Sequence, residues 1–298
     1  MGTGIVGIGL GLDHQPLLSH LVLAVAGAVW CLLGGALTVR LLTGREGLEV
    51  EARSPAALTG VAGSAVLGTA LTLIGWIWAG WALLALSTGL WLVLVGRVAR
   101  HWTTPTVGVS FMVTVATEAL AVLAATLAAV AGSPWLVAAA AAPWALGLAT
   151  YVLVLSRFDL GQLASGRGDH WVSGGALAIS ALATGRLTLA VSAVGWPHEL
   201  VRDLELAALV VWVAAMVWLP ALLLAEVLRP RLSYDLRRWA TVFPVGMYAA
   251  CSFIVGRAAR VPALEGFASV WVWAGVLVWA LVLVPTLWRG ANSIRASL

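Results

Sequence analysis

Residues 81–97 read WALLALSTGLWLVLVGR, an uncharged apolar run that ends on Arg97. A stretch of about 20 such residues crosses the ~30 Å hydrocarbon core of a bilayer. An Arg at its end belongs at the water interface. The same ending recurs along the chain: LTVR at Arg40, VLSR at Arg157, EVLR at Arg229 and TLWR at Arg289. The intervals are 57, 60, 72 and 60 residues. A fixed period of this kind marks one supersecondary unit used repeatedly. The unit here is a helical hairpin, present five times.

Composition agrees. Of 298 residues 61% are hydrophobic and only 10% charged, with mean hydropathy +0.99. Soluble domains carry about 25% charged residues, so the class is an all-α integral membrane protein. Seventeen Trp suit interfacial anchoring. All seventeen basic residues are Arg. They sit at the ends of apolar segments, which argues against nucleic acid as the partner of the +4 net charge. Cys31 and Cys251 lie inside apolar segments without metal-ligand spacing and read as small core residues.

Ten apolar segments can be read: 1–12, 17–42, 56–76, 79–98, 106–130, 135–156, 171–191, 204–228, 239–255 and 267–288. They form one transmembrane domain over 1–298, with hairpin units of about 1–42, 56–98, 106–157, 171–229 and 239–289. Odd segments are followed by short Gly- or Pro-marked links (LDHQP, GWIWAG, GSP, GWPHEL, RVPALEG), even segments by charged ones. Thirteen of the seventeen arginines follow even segments. The positive-inside rule then places both termini in the cytoplasm of a plasma-membrane protein.

The first Arg falls at position 40 where the period calls for one near 57–60. The expectation is that MGTGIVGIGLGL is the second half of a helix whose first half is absent, through an upstream start or trimming. Its Gly2-x-Gly4-x-x-Gly7 spacing imitates a dinucleotide-binding turn. That motif needs a strand before it and an acidic residue about 20 positions later. Only Met1 precedes it, and AVAGAVW occupies the later stretch. No NAD or other cofactor is implied.

The halves of each hairpin differ. Odd segments hold small residues (TGVAGSAVLGTA, SGGALAISALATG, PVGMYAACS), and even ones hold Trp, Leu and Val (VVWVAAMVWLPALLL). Small residues permit close helix approach or leave space for a lumen, while bulky ones face lipid. The expectation is an inner ring of odd helices around a central pore, with Gly4, Gly7, Gly63, Gly174 and Gly246 among its lining.

Histidines are scattered, and no HExxH, GxSxG, CxxC or Walker pattern occurs. Neither an enzyme nor a metal site is indicated. Glu118 and Arg186 lie well inside odd segments. Intramembrane charges mark a pathway or a pair. At 1.5 Å per residue they stand roughly 18 and 22 Å above their segment starts, within bridging reach. Two readings stay open: a buried ion pair that fixes packing, or an Arg186 that lends positive potential to an anion path with Glu118 as partner or proton site. Asp169, in GDHWVSGG, reads as a helix N-cap. In RWATVFPVGMYAACS, Pro244 removes a backbone donor and is expected to kink the helix just after Phe243.

RWATVFPVGMY resembles the ninth helix of the tellurite-resistance/dicarboxylate transporter family, which includes TehA-like proteins and the plant slow-type anion channels. GDHWVSGGALAISALA is similar to its seventh-helix opening, VATEALAVLAATLA to its fifth helix and MGTGIVGIGL to its first. The resemblance implies ten helices in five hairpins around a pore, a homotrimer, and passage of small anions or C4-dicarboxylates. Chloride, nitrate, malate and sulfite are the candidates. It places the family's aromatic pore gate on Phe243. Such a ring closes a narrow lumen by sterics and dewetting. The fifth segment departs from the family by lacking a Pro. Rivals are a proton-coupled malate carrier, a sulfite exporter, and a membrane scaffold that transports nothing.

Overall fold

The computed structural model describes residues 1–44, 47–165, 168–230 and 235–297. The loop arginines Arg45, Arg167 and Arg231 lie outside the described residues. Among the described residues ten long helices carry the fold: α1 (Gly2–Leu12), α2 (Pro16–Thr43), α3 (Thr59–Leu73), α4 (Ile77–Arg100), α5 (Met112–Ala131), α6 (Pro134–Leu155), α7 (Trp171–Ala193), α8 (His198–Leu228), α9 (Trp239–Ala259) and α10 (Pro262–Ser297). Among the described residues, α2 to α10, with the short 3₁₀ turns that lead into α3 and α5, are nine spans long and apolar enough to cross a membrane. The protein is thus an all-α integral membrane protein. α1 has 11 residues, about half a crossing at 1.5 Å per residue.

The chain turns between the helices of each pair in one way. His14, Gly75, Gly132, Gly195 and Arg260 follow α1, α3, α5, α7 and α9, and all five have φ between 56° and 95°. The residue after each donates its N–H five positions back: Gln15 to Leu10, Trp76 to Leu71, Ser133 to Ala128, Trp196 to Val191 and Val261 to Gly256. This is the left-handed helix stop in which a 6→1 bond satisfies an orphan carbonyl. A Pro then opens the next helix at Pro16, Pro134 and Pro262, and Pro197 is the N-cap of α8. Pro suits that place because the donor it lacks has no helical partner there.

Burial separates the helices into two classes. In the inner spans α3, α5, α7 and α9, between 56% and 89% of the most apolar window is buried. In the even helices the share is 11% to 28%. α1 is buried along almost its whole length. The odd helices touch in the order α1–α3–α5–α7–α9–α1, a closed ring. Each even helix packs on its own odd partner and also on the next odd helix, with α10 closing onto α1. Leu and Val side chains such as Leu32, Leu92, Val217 and Leu287 stand exposed on this outer layer, where lipid replaces water as the solvent.

A repeated hydrogen bond stitches the layers. Trp30 on α2 donates through Nε1 to Ser64 on α3 (2.9 Å), Trp91 on α4 to Thr117 on α5 (2.9 Å), and Trp144 on α6 to Thr184 on α7 (2.9 Å). Trp212 on α8 donates to Ser252 on α9 (2.8 Å), and Trp279 on α10 to Thr3 on α1 (3.2 Å). Every outer helix thereby binds the inner helix of the following unit. Four of these hydroxyls also donate to the carbonyl four residues back, so donor and acceptor capacity are both used. These five tryptophans join helices to one another, a role additional to interfacial anchoring.

Candidate functional site

The ring axis holds a small cavity of about 10 Å³, room for roughly one water. All five inner helices line it: Ile5 and Ile8 from α1, Val66 and Thr69 from α3, Ala119 and Val122 from α5, Ile179, Leu182 and Arg186 from α7, and Met247 from α9. Larger hollows of about 310 and 340 Å³ border the outer helices, one against α8 and α10 and one against α1, α2 and α3. They do not reach across the ring.

Phe243 lies four residues before Met247 on α9, hence on the same helix face one turn away. It is 1% exposed and among the largest fully buried side chains. α9 runs through Pro244 without interruption, and the proline ring occupies the space that a Cβ on Gly175 of α7 would need.

Among the described residues, Arg186 is the one charged residue that lines the axial cavity. Its Nε is enclosed and has no hydrogen-bond partner among the described residues. A second cation, Arg257, lies in its neighbourhood. Arg257 is itself compensated, donating to Glu265 Oε2 (3.1 Å) and to the Leu12 carbonyl (2.8 Å) with Phe253 beneath its guanidinium.

Glu118 does not meet Arg186. Among the described residues no ion pair joins them. The Glu118 carboxyl lies against the backbone of Gly147 on α6, where a Cβ would stand 2.5 Å from its Cδ. Ser180 is beside it but donates to the Ala176 carbonyl, and among the described residues neither Glu118 oxygen has a hydrogen-bond partner. On α5 the cavity-lining residues are Ala119 and Val122; Glu118 is turned a further step round the helix toward α6. The expected bridge fails because helix rotation, not depth, sets which way each side chain points.

The glycines also take other places. A Cβ at Gly4 would meet Val66 of α3, at Gly7 Leu23 of α2, at Gly174 the Tyr248 hydroxyl, and at Gly246 Ile5 of α1. Gly63 approaches the Met1 nitrogen. These small residues allow close helix contact, and the cavity wall is made of larger aliphatic side chains. Asp169 does not cap α7: His170 holds the N-cap position, with no side-chain cap bond.

Apart from Arg186, the residues of the cavity wall were not singled out in the sequence, and neither were the Trp bonds. The available signal was a Trp within each even segment and a Ser or Thr within each odd one.

A closed ring of apolar helices wrapped by a second, lipid-facing layer defines a multi-pass membrane protein organised about an axis. Over residues 1–287 the chain matches the family described as voltage-dependent anion channel (SLAC1). It belongs to that family, a class of membrane anion transporters. Two uncharacterized membrane proteins of Mycobacterium tuberculosis, from strains CDC 1551 / Oshkosh and H37Rv, are similar to it. Each is 33% identical over 135 residues, 43% of this chain and 67% of the relative.

Proposed function

We propose that the chain passes small anions along the ring axis, with Phe243 as the gate and Arg186 supplying positive potential. The observation that carries this reading is the cavity lined by all five inner helices, with Arg186 among its lining residues. Cations gain nothing there, because among the described residues no carboxylate lines the space. The closed state fits as well: Phe243 is fully buried one turn from the cavity, and a narrow apolar constriction excludes water and ions. The chain acts as one transmembrane domain, assembled as a homotrimer in the plasma membrane with both termini cytoplasmic. The asymmetric Arg distribution supports that orientation.

Flux from proteoliposomes loaded with chloride, nitrate or malate tests the reading. The expected result is chloride and nitrate movement down their gradients without an imposed proton gradient. Flux that requires a proton gradient would reassign the chain to a proton-coupled carrier. No flux in the wild type or in Phe243→Ala would leave a non-transporting scaffold.

A further inference from the structure

We infer that the hollow between α8 and α10 is a binding site for one anionic phospholipid, with an acyl chain inside it and the headgroup at its Arg-bearing mouth. The hollow measures about 310 Å³. Leu223, Val227 and Leu281 on its rim are exposed, so it opens on the lipid-facing layer. Its polarity is graded along the helices. Val245 on α9 and Trp271, Ala274 and Val278 on α10 form an apolar upper wall. Glu226, Arg238 and Thr241 gather where α8 stops and α9 starts.

The repeat explains why space is left here. Trp144 on α6, Trp212 on α8 and Trp279 on α10 make equivalent bonds to the next inner helix, which puts the outer helices in register. Between α6 and α8, Phe158 packs edge-on against Trp218 (centroids 6.4 Å). In that register Phe158 corresponds to Glu226, and Trp218 to Pro285. The ring-on-ring filling of one cleft is therefore lost in the next.

Shape and charge select the occupant. Water gains little beside the apolar wall, because it needs two to four polar partners. Trp271 to Val282 spans about 16 Å of helix, so 310 Å³ spread along it gives a cross-section of only about 20 Å². That is a slot for one hydrocarbon chain. A helix, about 10–12 Å across with its side chains, does not enter it. The chain itself prefers the hollow little over bulk lipid, since both are apolar. Selectivity falls to the headgroup. Among the described residues, Arg229, Arg237 and Arg238 lie at the mouth with Asp235 and Glu226. Arg289 stands seven residues past Val282, on the same face of α10. Glu226 accepts from Trp171 Nε1 (3.3 Å). Arginines thus outnumber carboxylates where the phosphate would sit, and each is worth about 1 kcal/mol toward an anionic headgroup.

The test uses phosphatidylglycerol and phosphatidylcholine with identical acyl chains on the full chain in detergent. Phosphatidylglycerol should raise the unfolding temperature saturably and stay bound in native mass spectrometry, with phosphatidylcholine much weaker. Ala274→Phe fills the slot and should abolish retention of phosphatidylglycerol. Arg238→Gln should lower the preference for phosphatidylglycerol by about fivefold, and Arg238→Lys should keep it. Arg100→Gln, at the end of α4, should leave the preference unchanged; an equal loss there would reduce the effect to general surface charge and overturn the site. Photo-crosslinking from a diazirine-bearing acyl chain should label peptides of α8, α9 and α10 in the wild type, a readout that stands if a variant fails to fold. Labelling elsewhere, no preference between the two lipids, or full retention in Ala274→Phe overturns the site. Loss of oligomer in Ala274→Phe would give the hollow to a second copy of the chain instead.

Discussion

Replacing Phe243 with Ala separates a gate from a packing residue, because the two roles move different observables. The phenyl ring is 1% exposed and sits one turn along α9 from Met247, which lines the axial cavity. A large-to-small change at so enclosed a site leaves a void on the order of 100 Å³ and costs about 3–5 kcal/mol if the void stays empty. That energy is also the scale of the packing that holds the path shut. At about 1.4 kcal/mol per factor of ten, losing 3–5 kcal/mol moves a closed–open balance by roughly two to three and a half decades. Flux stops rising once the path is open, so we expect an increase of at least about tenfold, short of the full shift. Chloride efflux from proteoliposomes at matched protein density gives the first observable. Thermal unfolding of the same preparation gives the second. If Phe243→Ala shows the full loss of stability with unchanged efflux, Phe243 is packing alone and the gate assignment falls.

Three further outcomes follow from the geometry. Trp279→Phe removes the donor to Thr3 while keeping an aromatic ring, and should destabilise the protein by about 0.5–2 kcal/mol, the range for hydrogen bonds between membrane helices. Trp78→Phe, at a residue 73% exposed, should do nothing in the same denaturation assay, and equal effects would discount the repeated bond. Glu118→Gln keeps the shape of a side chain turned toward Gly147, so chloride flux and its pH profile should match the wild type; a flattened profile would restore Glu118 as a proton site. Arg260 holds φ of 56°, a conformation costing a side-chain-bearing residue roughly 1–2 kcal/mol. Arg260→Gly should therefore raise stability by about 0.5–1 kcal/mol after the entropy of glycine is subtracted, and a lower unfolding temperature would contradict the turn described.

Much of the architecture was legible because it depends on composition. Small residues in odd segments and Leu, Val and Trp in even ones separate the inner layer from the outer one, as burial bears out. The turns were legible as Gly- and Pro-marked links, although His14 and Arg260 take the left-handed conformation without glycine. Direction around each helix axis was not legible. Glu118 and Arg186 stand at compatible depths, yet one faces α6 and the other the axis. Gly7 belongs to the ring but meets an outer-layer leucine. A Trp within a lipid-facing helix has the same local sequence whether it anchors at the interface or donates to its neighbour. Which occurs depends on a hydroxyl in the next hairpin, more than twenty residues away for Trp91 and forty for Trp144 and Trp212.

The contact between α10 and α1 reaches beyond stability. Its Trp279–Thr3 bond joins residues 276 positions apart, so a nascent chain that lacks the last hairpin is an open arc rather than an enclosure. Transport competence would then arrive with the final stage of synthesis, which spares the cell a leak from unfinished copies. Because each hairpin meets the next in the same manner, circular permutants cut in a basic connection and rejoined between α10 and α1 should rebuild the same enclosure.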